Sequence, residues 1–127
     1  MSEISEGSKD DPPSLSLRAE SARLKCDWHF RAAGILDQTG DSSGALKHVE
    51  KGFRIASTGL DPTNQVRHLI TLAYVEMKGR ELERTRSKSL LADLKRVLGG
   101  IENPAPRIRS QHDFYWGLLI QMERSVR

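Results

Sequence analysis

The stretch AGILDQTGDSSGALKHV, residues 33–49, decides the fold. Ala33, Ile35 and Leu36 continue a helical apolar pattern that stops at Gly40, a residue suited to the left-handed conformation that ends helices. Asp41-Ser42-Ser43 then supplies N-cap candidates for a new helix, and Ala45, Leu46 and Val49 begin its apolar stripe. A link this short makes the two helices antiparallel neighbours.

Working outward, Leu17, Leu24, Trp28, Ile35 and Leu36 recur at helical spacing, with Ser21 and Ala32 on the same stripe, so a core-facing helix is expected over 16–38. The second helix is expected over 42–59, with Leu46, Val49, Phe53, Ala56 and Leu60 inward and Lys47, Glu50, Lys51 and Arg54 outward. Gly59 and Pro62 close it. A third helical stretch, capped by Thr63 or Asn64, runs over 64–98. Its stripe of Val66, Leu69, Ile70, Ala73, Tyr74 and Met77 lapses between Lys78 and Ser89, where Leu82 is the one large apolar residue, and resumes at Leu90. One long helix and two helices broken near Gly79 both fit. After Asn103-Pro104-Ala105-Pro106, a last helix is expected over 109–125. No stretch alternates as a strand would. The fold class is all-α: antiparallel helical hairpins in a three- to four-helix bundle, one domain over 15–127.

Residues 1–14 are polar, with Ile4 the one large apolar side chain after Met1, and bury too little to offset ordering. They read as a disordered acidic tail. Apolar residues make up 37% of the chain, below the usual share, which also implies an unpacked segment. The tail lacks the order of a secretory signal, and no apolar run has the length of a membrane span. With one cysteine, Cys26, no internal disulfide can form, so a cytoplasmic protein is expected. Net charge is +3, with residues 1–13 at −3 and the remainder basic.

Little in the sequence points to catalysis. Cys26 and His29 lie three apart on one helix, yet zinc needs three or four ligands, and His48, His68 and His112 are scattered singly. A packed thiol beside a surface histidine is the simpler account. Asp37 and Asp41 flank a helix end, where capping explains them, and the glycines form no phosphate loop. No enzyme activity, cofactor or metal is expected. The run from Lys78 to Lys88 mixes acids with bases and reads as a solvated helix face, Glu76 and Arg80 making a favourable pair.

The pattern Ala33-x-x-x-Asp37-x-x-Gly40-x-x-x-x-Ala45-Leu46, followed by Lys51-Gly52-Phe53 and Gly59-Leu60, resembles the first two helices of a microtubule-interacting and trafficking (MIT) domain, most of all the spastin and spartin type. Val49 stands where that family usually has tyrosine, and Met77 and Arg80 stand for its tyrosine-then-arginine signature. The resemblance implies a three-helix bundle that holds a partner's helix or extended segment between helices two and three, with ESCRT-III-type tails as ligands. His48, Arg80, Arg84 and Arg86 are then the candidate polar contacts. The hairpin is also similar to a tetratricopeptide (TPR) repeat, with Ala33, Gly40-Asp41 and Ala45 at its small-residue positions. A shift of about 34 residues, however, lands on Arg67, Tyr74 and Gly79, so an array is not supported. The expected function is therefore a non-enzymatic module that binds another protein through a peptide or helix, an acidic one among the candidates. The alternative is a small basic subunit contacting nucleic-acid backbone through residues 78–96.

Overall fold

A computed structural model describes residues 12–125, with side chains from Leu17 onward. Among these residues are five helices: α1 Pro12–Gln38, α2 Ser42–Gly59, α3 Gln65–Thr85, α4 Lys88–Gly99 and α5 Pro106–Ser125. The all-α class is as expected, and the five helices are the four expected segments with the third divided in two. The tail expected over 1–14 lies outside the described residues, save that 12–14 belong to α1. Prolines fit a helix's first turn, whose N–H groups have no intrahelical acceptor. The same rule places Pro106 at the start of α5, ahead of the expected residue 109.

The turns form as their chemistry requires. Gly40 takes φ +92°, and the Asp41 carboxylate accepts from the Gly44 amide at 2.9 Å to cap α2. Asn64 caps α3, accepting from the amides of Val66 and Arg67. The stretch 64–98 is two helices, and the break falls at Arg86-Ser87 rather than near Gly79. Arg86 takes the left-handed conformation at φ 55°, and Ser87 accepts from the Leu90 amide at 3.2 Å to start α4. Gly79 stays inside α3, because an isolated glycine costs a helix only about 1 kcal/mol.

Each helix packs on its chain neighbour, and α3 also touches α1 and α5. The hairpin α1–α2 packs on one side of α3 and α4–α5 on the other. Cys26, Ala56, Leu60 and Ile70 form one core cluster; Ala33, Ala45 and Val49 form a second beside it. Leu72, Val75 and Leu82 of α3 join Leu91, Leu94, Leu98, Ile108 and Leu119 in the third. Thus α3 buries two faces. Leu82, the one large apolar residue where its stripe lapses, is fully buried in the third cluster.

The α1 stripe is a correction. Leu17, Leu24, Trp28 and Ile35 point outward, and the helix buries Cys26 and Ala33 instead. Here α1 and α2 approach closely. A Cβ on Gly59 would lie 2.7 Å from that of Ala22, and one on Gly52 would lie 3.1 Å from both His29 Cβ and Ile70 Cδ1. Small residues, Ala22, Cys26 and Ala33, lie on the α2 side of the helix with the edges of Phe30 and Leu36 beside them, while Leu17, Leu24, Trp28 and Ile35 are turned out.

Gly59→Ala is expected to destabilise the chain by about 1–3 kcal/mol through overpacking against Ala22. Gly34→Ala, where a Cβ meets nothing within 4 Å, is expected to be neutral or to stabilise by up to about 1 kcal/mol. Urea denaturation of the two variants checks the contrast; equal effects would mean that α1 and α2 are not in close contact.

Candidate functional site

The odd-numbered helices α1, α3 and α5 share one face of the molecule, and two grooves run along it. The larger, about 400 Å³, lies between α3 and α5. Val75, Gly79, Leu118, Leu119 and Met122 give it an apolar floor, and Glu83 and Arg86 stand at its edge. The smaller, about 260 Å³, lies between α1 and α3 and is lined by Phe30, Ala33, Val49, Ala73 and Met77. Glu76 and Arg80 border both.

These two residues belong to a polar ladder that crosses all three helices. The Arg80 guanidinium donates to Asp37 of α1 and to Glu76 one turn back on α3, each at 3.3 Å. The second Glu76 oxygen accepts from the Tyr115 hydroxyl of α5 at 3.2 Å. The hydrogen bond to Asp37 is the main influence that raises the Arg80 pKa. Burial, reinforced by Glu76, raises the Tyr115 phenol, which therefore stays protonated and donating. At the far end Arg86 donates to the Ser125 hydroxyl at 2.8 Å.

Of the four residues expected to contact a partner, Arg80 and Arg86 meet on the α3–α5 groove. Arg84 is exposed in the last turn of α3 and lines neither groove. His48 lies elsewhere, on the α1–α2 hairpin, with its Nδ1 3.0 Å from that of His29 and the Trp28 ring set edge-on to both imidazoles. These two grooves lie along α1–α3 and α3–α5; a third, about 190 Å³, has Phe53 and Ser57 of α2 and Arg67, His68 and Thr71 of α3 among its walls, the pair of helices expected, with α4 closing it. Glu76, Tyr115 and Leu118 escaped the sequence reading as site residues. The signal for Glu76 was present in its pairing with Arg80, but its reach to α5 depends on tertiary packing 39 residues away.

Chemistry elsewhere is sparse. Cys26 is fully buried, and desolvation pushes its thiol up to about 11, which leaves it protonated and inert. Among the described residues no group of three or more His, Cys, Asp or Glu side chains could hold a metal ion. Buried His68 is structural. Its Nε2 donates to the Pro62 carbonyl at 2.6 Å, and the same oxygen accepts from the Glu102 amide at 3.2 Å, which ties the α4–α5 loop to the α2–α3 turn. No helix among the described residues is long and apolar enough to cross a membrane. Comparison of the chain with protein-family models, curated proteins and solved structures finds no match.

His29 makes stability depend on pH. Burial, then His48, then Lys51, lowers the His29 pKa below its ordinary 6.5. As pH falls through 6.5 the unfolded chain takes up this proton first, so stability declines until pH passes the lowered folded value and is level below it. His29→Gln is expected to flatten melting temperature against pH in that window. An unchanged slope would show that the contact does not govern protonation there.

Proposed function

We propose that this chain is a non-enzymatic protein-interaction module that holds a helical or extended segment of a partner protein along the α1–α3–α5 face. One observation carries this: the α3–α5 groove is open, apolar at its floor and charged at its edges. Interface cores have that character, with apolar anchors in the centre and polar groups around them. Leu118, 41% exposed at the groove wall, gives a partner's apolar side chain something to bury against. Arg86 at the groove end suits a segment bearing an acidic residue beyond its apolar anchor. The likeness to an MIT hairpin agrees with this class of function, and ESCRT-type membrane-trafficking assemblies in the cytoplasm are the partners it suggests.

The nucleic-acid alternative draws less support from the side chains. In the basic stretch, Lys78 pairs with Glu50 and Glu81, Arg80 with Asp37 and Glu76, Lys95 with Glu123, and Arg96 with Asp93. Cations engaged in this way must give up a carboxylate before they can take a phosphate.

Peptides selected from a displayed library for binding the chain test the proposal. Leu118→Asp is expected to weaken them at least about tenfold, about 1.4 kcal/mol. Arg86→Glu is expected to slow association of acidic peptides with little change in dissociation. Arg80→Glu is a poor probe, because it would set three carboxylates together with Asp37 and Glu76. Selected peptides that tolerate both of the first two changes would place binding on another face.

A further inference from the structure

An outward stripe of α1 carries four large apolar residues, interrupted by Ser21 and Arg31 and touching α2 only where Trp28 meets His48. Leu17, Leu24, Trp28 and Ile35 are 72%, 54%, 59% and 63% exposed. Spacings of seven, four and seven residues put them on one stripe, about 27 Å long at the rise of an α-helix. Buried Cys26 lies on the opposite side of the helix.

The stripe has the form of a coiled-coil seam. With Ser21, Trp28 and Ile35 as heptad positions a, positions d are Leu17, Leu24 and Arg31. The flanking positions carry segregated charge: Arg18 and Lys25 fall at e, Glu20 and Asp27 at g. A parallel, in-register pair sets each g residue against the e residue of the following heptad on the other strand. Glu20, whose carboxylate is shared with Arg23 of its own helix, then faces Lys25 of the second copy, and two-fold symmetry repeats the contact. An antiparallel pair would instead bring e against e and g against g, like charge against like.

The start of α1 adds a second argument. Residues 17–21 are exposed on all sides, since α2 reaches α1 only as far as the contact between Gly59 and Ala22. A helix end without tertiary packing is marginal in water, and here it carries Leu17 on the seam.

We propose that a second copy of this chain docks parallel to the first along α1, giving a homodimer through a short two-stranded coiled coil. Ser21 and Arg31 at seam positions fix its register and keep it reversible, as polar seam residues do. Arg31 is held to one side by Asp27 on its own helix at 2.9 Å.

Sedimentation equilibrium of the full chain over a wide concentration range tests this, with circular dichroism confirming the fold of each variant. The unsubstituted chain is expected to move from monomer to dimer as concentration rises. Leu24→Glu, on the exposed seam, is expected to remain monomeric and helical. Glu20→Lys and Lys25→Glu are each expected to weaken the dimer, and the double variant E20K/K25E to restore it, because the swap re-creates both pairs. An unsubstituted chain that stays monomeric throughout overturns the proposal and leaves the seam to a different protein. Dimerisation that Leu24→Glu leaves intact overturns the seam, and a double variant as weak as the singles overturns the parallel arrangement.

Discussion

The structure depends on α3 serving two cores at once. Ile70 packs with Cys26 and Ala56 on one side, while Leu72, Val75 and Leu82 pack with α4 and α5 on the other. A helix in that position has few solvent-facing places left, and its polar groups must find partners. They do: Thr71 donates to the Arg67 carbonyl, His68 reaches the Pro62 carbonyl, and Lys78 meets Glu50. Among the described residues no buried side-chain nitrogen or oxygen lacks a partner. Tyr74 joins the two halves, stacking on Phe53 of α2 at 4.3 Å between ring centroids while packing against the α4–α5 core.

From that constraint the candidate site follows. Because α1 and α5 both lie against α3, the three form a continuous face with a groove at each junction. The residues of α3 that look onto this face, Glu76 and Arg80, are bound across it to Asp37 and Tyr115. Exposed ion pairs contribute little to stability individually. The contacts of this ladder span three helices and border both grooves, whose walls are set by the packing of α1 and α5 on α3.

The sequence reveals much of this and misleads at one point for a physical reason. Turns written in local chemistry, at Gly40-Asp41 and Asn64, are legible because a cap needs only its own few residues. The break at Arg86-Ser87 is less so, since an arginine in the left-handed region leaves no compositional mark. The inward face of α1 could not be read from hydrophobicity at all. Four of its large apolar residues face solvent, whereas Ala22, Cys26 and Ala33 lie toward α2, whose Gly59 leaves no room for a Cβ beside Ala22. Periodicity located the stripe correctly and could not say which partner it awaits. Likewise Arg80 is marked by its charge pattern, but its convergence with Asp37, 43 residues away, is a product of packing.

Native-state hydrogen exchange followed residue by residue tests the role of α3 most directly. If α3 is the element on which both cores close, its amides from Ile70 to Val75 open only with global unfolding and are the last in the chain to exchange. The α4–α5 and α1–α2 hairpins open at equal or lower free energy. Amides of α2 or α4 that outlast those of α3 would contradict this and would mean that the hairpins are stable without the helix between them.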